Sequence, residues 1–395
     1  MHIVFFRYLP LTQKIIEDFY MKELVSFGYE VDYWDISSLF FPEQNGVERY
    51  IPRDEEKINI KYIKSRRELK SLFKKNNDAL FISMMSFGPK LIWVFHNLKR
   101  FGCRTAVFSY YPLPLHVGLG SKKQRLLDLR RIVNGLYTRF SVFLSVRLRY
   151  IKLYDYVFMG GRNGWRGIGV VKQDYLKNTK FYEVNNWDYD KFLAARLTVN
   201  KEHFIVFLDE YYPFHPDVLL NGKSTVAPER YFDDLNKVFS AIEDYYGMPV
   251  VIAAHPKALK YKDDNYFCGR EVFFNSTLEL VSKASFVLAH DSLSIGYAVM
   301  CKKQLIFINS NEIRRGLPHN YETIMFFSNY FHSPLLFAED IKTEKLNKSP
   351  EISSEVSSVY EGMIEGYMST LKEPKQNIVL LKSYLQEIFN NMLEQ

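Results

Sequence analysis

The sequence predicts an α/β protein made of two Rossmann-type, doubly wound domains, and three observations carry that prediction. At 395 residues the chain is long enough for two domains of roughly 150 residues each or somewhat more. Short apolar runs alternate with amphipathic stretches of helix length in both halves, the pattern of βαβ units, in which parallel strands need a crossover. Between the halves, residues 185–199 hold no long apolar run and precede a fresh strand. We therefore assign residues 1–190 to an N-terminal domain, 200–372 to a second domain and 373–395 to a C-terminal helix.

The first expected strand is 2–6, followed by a loop at Pro10 and a helix over 12–27 that Thr12 can cap and Gly28 can stop. Residues 30–34 form the returning strand, and further strands fall at 79–84, 105–109 and 156–159, with a helix over 89–101. The charged stretch 48–75 reads as an excursion carrying one strand and one helix. In the second half, strands at 203–208, 250–254, 286–289 and 305–308 are separated by helices over 229–246, 277–283 and 294–300. Two helical stretches, 354–371 and 374–393, end the chain and can cross back to the first half. No internal repeat and no low-complexity tract is visible.

Composition narrows the class. With 47% hydrophobic and 25% charged residues, including 32 Phe and 28 Tyr, the chain can fill a substantial core, which excludes wholesale disorder. Cys103, Cys268 and Cys301 are odd in number and far apart, giving neither a disulfide framework nor zinc-ligand spacing, so a reducing, cytoplasmic location is expected. The opening MHIVFFRYLP lacks the form of a secretory signal, and no apolar run approaches the roughly 20 residues of a spanning helix.

The formal net charge of +7 is concentrated. Between residues 121 and 152, Lys122, Lys123, Arg125, Arg130, Arg131, Arg139, Arg147, Arg149 and Lys152 face a single acid, Asp128, with Leu, Ile, Val and Phe interleaved. Such a basic amphipathic helix suits an anionic membrane surface, which places the protein at the inner face of the cytoplasmic membrane. An ordinary solvated surface helix is the competing reading; nucleic acid is not expected, because no nucleic-acid motif accompanies the patch.

In open α/β sheets, ligands bind beyond the carboxyl ends of the strands. Three polar segments of the second half occupy such ends: 207–217 with Asp209, Glu210 and His215-Pro216-Asp217; 252–258 with His255-Pro256-Lys257; and 288–299 with His290-Asp291-Ser292 and Ser294. His255 can donate to, or protonate, a phosphate oxygen, and Lys257 beside it favours an anion. It can equally satisfy a loop carbonyl. Ser292 or Ser294 can cap the following helix or, with the first free N–H groups, hold a phosphate. In the first half, Arg7, Tyr110-Tyr111 and Gly160-Gly161-Arg162-Asn163 end strands and are candidates for acceptor binding. Asp188-Tyr189-Asp190 has the shape of a metal-binding Asp-x-Asp but reads as a helix start or cleft lining, and no metal is expected.

The pair His255-Pro256, followed by a strand, Ser292 and Ser294, a helix and the lysine-rich strand CKKQLIFI, resembles bacterial GT-B glycosyltransferases that use CMP-activated nonulosonic acids, namely sialyltransferases, polysialyltransferases and capsular Kdo transferases. The resemblance covers mainly residues 201–308. It implies two Rossmann-type domains facing across a cleft, a CMP-sugar donor, a glycan acceptor that can be lipid-linked, and no metal. His255 would assist departure of CMP, while Ser292 and Ser294, with Pro256, Lys257, His290 and Asp291 around them, would bind its phosphate. That family also uses a carboxylate base from a short acidic motif in the N-terminal half, which this sequence lacks; Asp209 and Glu210 are the acid pair ending a strand. Transferases of the CDP-glycerol type, which assemble teichoic-acid-like polymers, share similar His-Pro and Ser motifs and remain an alternative. A non-catalytic glycan- or nucleic-acid-binding protein is the third reading.

Overall fold

The computed structural model describes residues 1–41, 56–111, 113–114, 129–195, 197, 202–215 and 225–394, with the side chains of 129–131 and 345 outside that description. Lys122, Lys123, Arg125 and Asp128 of the basic stretch, and Pro216 and Asp217, therefore lie outside the described residues.

Seven strands make the first sheet: β1 (His2–Arg7), β2 (Glu30–Asp35), β3 (Ile58–Tyr62), β4 (Leu80–Ser83), β5 (Arg104–Tyr110), β6 (Tyr156–Gly160) and β7 (Lys180–Val184). They are all parallel, in the order β3-β2-β1-β4-β5-β6-β7, the doubly wound arrangement. Their helices are α1 (Gln13–Asp18), α2 (Met21–Ser26), α3 (Arg66–Lys75), α4 (Ile92–Arg100), α5 (Leu129–Arg147) and α6 (Trp187–Ala195). Both faces of the sheet are covered, so the central strands read as continuous apolar runs. Along β1, Val4 and Phe6 enter one aromatic core with Trp34, Phe73, Phe81 and Phe95, whereas Ile3 and Phe5 enter the other with Phe19, Tyr33 and Phe158.

The second sheet holds β8 (Ile205–Leu208), β9 (Val250–Ala254), β10 (Val272–Phe274), β11 (Phe286–Ala289), β12 (Gln304–Asn309) and β13 (Leu335–Phe337), parallel and ordered β10-β9-β8-β11-β12-β13. Its helices are α7 (Pro228–Tyr246), α8 (Thr277–Lys283), α9 (Ile295–Met300), α10 (Asn311–Gly316), α11 (Pro318–Tyr330) and α12 (Ser354–Met363). The chain thus folds into two doubly wound domains, the fold class read from the sequence. Their compact units are Met1–Pro112, Leu126–Asp190 and Gly366–Gln395 for the first, and Leu113–Arg125 and Lys191–Glu365 for the second.

The last helix, α13 (Asn377–Leu393), returns to the first unit. Leu381, Leu385, Ile388 and Phe389 fill the core on the Ile3/Phe5 face, and the Phe389 ring stacks on Tyr29 at 5.4 Å. Its start is tied by a polar knot: Asn185 N–H donates to Asn377 Oδ1 (2.7 Å), Asn377 Nδ2 donates to Asn185 O (2.9 Å), and Asn377 N–H donates to Asp190 Oδ1 (2.5 Å). The same knot explains why the helix expected over 12–27 is broken in two. Thr12 caps it and Gly28 stops it at φ +89°, but Tyr20 between α1 and α2 is left-handed at φ 55°. The Tyr20 hydroxyl donates to Asp190 (2.7 Å), and Trp187 Nε1 takes the Asp18 carbonyl (2.9 Å) that helix continuation would use. Tertiary hydrogen bonds here override local propensity.

Candidate functional site

In each sheet the strand order reverses once, and ligands of open α/β sheets bind at such a switch point beyond the carboxyl ends. In the second sheet the reversal lies between β8 and β11, with β9 on the other side of β8. The three segments picked out in the sequence are therefore side by side: Asp209-Glu210 after β8, His255 after β9, and His290 to Ser294 after β11.

Asp209 joins two of them. Its Oδ2 accepts the His255 N–H (3.1 Å), and its Oδ1 accepts the Tyr211 N–H (3.0 Å) and the Tyr261 hydroxyl (3.1 Å). Burial raises its pKa to about 6 against the lowering effect of these donors. This carboxylate is a brace that positions His255. His255 itself is half-buried in a turn closed by the Ala258 N–H on its carbonyl (2.8 Å). The Lys257 N–H donates to His255 Nδ1 (3.2 Å), so the neutral imidazole carries its proton on Nε2, the donor form. Tyr211 lies parallel to the ring and His215 meets it edge-on at 4.9 Å. Pro256 and Lys257 are exposed.

Across the switch point, Glu210 and Asp291 form a half-buried acid pair. Burial, and then the Asp291 charge, push the Glu210 pKa up to about 8, while a hydrogen bond with Ser292 acts the other way. Asp291 accepts from the Tyr212 hydroxyl and from Asn320 Nδ2 (3.0 Å). A carboxyl in this setting holds its proton near neutrality and serves as a hydrogen-bond donor. Ser292 Oγ accepts the Ser294 N–H (3.1 Å), shaping the turn into α9, whereas the half-exposed Ser294 makes no side-chain cap bond.

His290, expected among the donor-binding residues, is placed elsewhere. It has no exposed surface, its Nδ1 lies 2.8 Å from Ile308 O, its Nε2 lies 3.2 Å from the Tyr231 hydroxyl, and it stacks on Tyr212 at 5.1 Å. Burial lowers its pKa to about 4, so it is a neutral core histidine holding the loop from beneath.

In the first sheet the reversal lies between β1 and β4. A cavity of about 250 Å³ opens beyond the ends of β4 and β5, lined by Ser83, Met84, Phe108, Tyr110, Asn186 and Asp188 among others. Asp188 is the one carboxylate among the described lining residues. The Tyr110 hydroxyl is enclosed without a hydrogen-bond partner, and its ring packs against Trp187 at 4.5 Å. The sequence leaves Asp188 open between a helix start and a cleft lining, and the structure gives it the second place. Asn186 is the cap, accepting the Tyr189 N–H (2.8 Å), and Asp190 turns away to the α13 knot. The Asp-x-Asp pattern is thus divided between the cavity and the core.

Gly160 and Gly161, expected to bind acceptor, are occupied by the chain itself. A Cβ on Gly160 would lie 2.6 Å from Tyr110 Cδ1, and one on Gly161, at φ +73°, 2.6 Å from the Tyr367 backbone. Asn163 N–H donates to Gly366 O (2.7 Å) and Asn186 N–H to Met368 O (2.7 Å), so this loop seats the segment that brings the chain back to the first unit. Arg162 is exposed, and Arg7 is half-buried at the end of β1 beside Tyr33. The described cluster of metal-type side chains, His2, Glu30 and Asp32, lies at the amino ends of β1 and β2. There Lys61 already pairs with Asp32.

Neither a protein-family profile nor a curated protein sequence matches the chain. Solved structures similar to it over nearly its full length include UDP-GlcNAc 2-epimerase from Methanocaldococcus jannaschii (12% identity, 98% of this chain and 100% of that one, TM-score 0.44). MurG from Acinetobacter baumannii matches at 8% identity over 100% and 99%, with a TM-score of 0.40. The wall teichoic acid polymerase TagF matches at 10% identity over 100% and 90%, with a TM-score of 0.48. At this distance the likenesses set no family, and the GT-B-like fold class rests on the chain's own two doubly wound sheets.

Proposed function

We propose that the protein is a glycosyltransferase that moves a nonulosonic acid (sialic, legionaminic, pseudaminic or Kdo type) from its CMP-activated donor to a glycan acceptor, without a metal. The observation that supports this reading most is His255 at the carboxyl end of β9, braced through its N–H by Asp209 and set by Lys257 N–H in the Nε2-protonated form. In the transfer, the bond from the anomeric carbon to the CMP phosphate breaks as the acceptor oxygen bonds to that carbon. The acceptor proton passes to a carboxylate, and CMP leaves with its charge stabilised by a hydrogen bond from the Nε2–H of neutral His255. Glu210, kept protonated by burial and by Asp291, offers a second neutral donor where a second negative charge would repel the phosphate. Ser292 and Ser294, on the adjoining turn, supply the hydroxyls. We place acceptor recognition in the cavity at the end of β4, whose lining includes Asp188.

The test is nucleotide preference followed by transfer. Among CMP, CDP, UDP and GDP, CMP should raise the melting temperature most, since a ligand of the native state stabilises it by mass action. CMP-sialic acid or CMP-Kdo should then release CMP in the presence of acceptor. Preference for UDP or GDP overturns the donor assignment, and glycerol phosphate transferred from CDP-glycerol places the protein with the polyol-phosphate enzymes instead.

A further inference from the structure

We infer that α5 is a membrane-docking helix that lies in the interface of an anionic lipid surface. Its inner face is short and small: Val142 is buried, with Val146 beside it, and Ser141 and Ser145 are partly buried. At about 100° per residue, Ile132, Val133, Leu136, Tyr137, Phe140, Phe143, Leu144 and Leu148 fall on one outward arc roughly 160° wide, which Arg147 shares at the last turn of the helix. They are open to solvent, with Val133 60%, Leu136 62%, Tyr137 65% and Phe140 63% exposed. An apolar surface of this extent on a described helix marks an interaction site.

Charge selects the occupant. From 129 to 152 the chain has six basic residues (Arg130, Arg131, Arg139, Arg147, Arg149 and Lys152) and no acid. A second copy of this helix would bring like charges together, and an ordinary protein groove would leave them unpaired, whereas anionic headgroups flank an inserted apolar face with complementary charge. The helix does not span a bilayer, because no described helix is long and apolar enough. Its end is fixed to the domain: Tyr150 stacks on His96 at 4.0 Å, and Lys99 Nζ donates to the Arg149 carbonyl. The helix therefore presents a fixed face and needs no ordering on contact.

Vesicle binding tests this without donor or acceptor, so its outcome is separate from that of the transfer assay. The full-length protein should sediment with phosphatidylcholine vesicles containing about 30 mol% phosphatidylglycerol and much less with pure phosphatidylcholine, the difference shrinking in salt. Leu136→Glu with Phe140→Glu should abolish sedimentation while leaving the melting temperature unchanged, since both residues are exposed. Arg139→Glu with Arg147→Glu should weaken binding to the anionic vesicles by roughly fivefold or more per arginine. Tyr137→Trp should blue-shift its emission on the same vesicles. Equal binding to neutral vesicles, unshifted Trp emission, or wild-type binding by either double variant overturns the proposal. So does a dimer in sedimentation velocity that the Leu136/Phe140 variant dissolves while the wild type ignores vesicles.

Discussion

The switch points of the two sheets sit at the same topological position and are built in opposite ways. In the second domain the ends of β8, β9 and β11 are filled with polar groups that answer one another: Asp209 braces His255, Glu210 faces Asp291, and His290 is held at both nitrogens. In the first domain the ends of β4 and β5 leave a cavity with aromatic and sulfur walls, one carboxylate and the unpartnered hydroxyls of Ser83 and Tyr110 among its described lining. A preorganised polar site suits charge that develops during a reaction, whereas an apolar-walled cavity with few polar groups suits selection of a partner molecule. The difference teaches that equivalent topology fixes where a site lies and leaves its chemistry to the side chains.

The sharpest way to break that comparison is His255→Ala. It should lower kcat by about 10²- to 10³-fold, the usual range for a lost hydrogen-bond donor to developing charge, with CMP affinity nearly kept. Asp188→Asn in the other domain should raise the acceptor KM several-fold and leave the CMP-induced thermal shift unchanged. Should Asp188→Asn weaken CMP binding instead, the division of labour between the domains fails.

Glu210→Gln sharpens the electrostatic half of the contrast. A carboxyl whose pKa is higher folded than unfolded binds more protons in the native state, so its contribution is present below the unfolded pKa and lost as pH rises through the folded one. From its ordinary value up to about 8, the wild type should therefore lose stability steadily relative to Glu210→Gln. Denaturant unfolding at pH 5 and pH 8 measures the difference. His290 acts with the opposite sign: its depressed pKa makes stability fall as pH drops from about 6.5 towards 4.

Much of this molecule is legible in its sequence, for a physical reason. The strands 250–254 and 286–289 and the helix 277–283 were read to the residue, because burial on both faces makes strands continuous apolar runs and short turns bound them. The edge strands β7, β10 and β13 are not legible in the sequence: β7 (KFYEV) breaks its short apolar run with Lys180 and Glu183, and the others are three residues long. The break at Tyr20 is illegible because Asp190 and Asn377, which impose it, are 170 and 357 residues away. Gly160-Gly161 looked like an acceptor loop because only the fold reveals Tyr367 and Met368 filling its space. His290 looked like its neighbour Ser292 in sequence, yet the register of β11 turns it into the core, where Tyr212 and Tyr231 enclose it. For Asp188 the sequence leaves helix start and cleft lining both open, since the cavity it lines is assembled from strands far from it in the chain.

The smallest effect discriminates most finely, because its sign differs between the domains. Tyr261 in the second domain donates its hydroxyl to Asp209, so Tyr261→Phe removes a hydrogen bond to a buried carboxylate and should cost about 1.5–3 kcal/mol. Tyr110 in the first domain has an enclosed hydroxyl without a partner, so Tyr110→Phe removes a desolvated group at no loss of contact and should leave stability unchanged or raise it by about 1 kcal/mol. A group kept at the expense of stability is expected where a ligand completes it. If that ligand is the acceptor, Tyr110→Phe raises the acceptor KM several-fold while kcat and the CMP thermal shift stay put. A destabilised Tyr110→Phe variant with an unchanged KM would instead mark both switch points as equally satisfied, and the contrast between them would be lost.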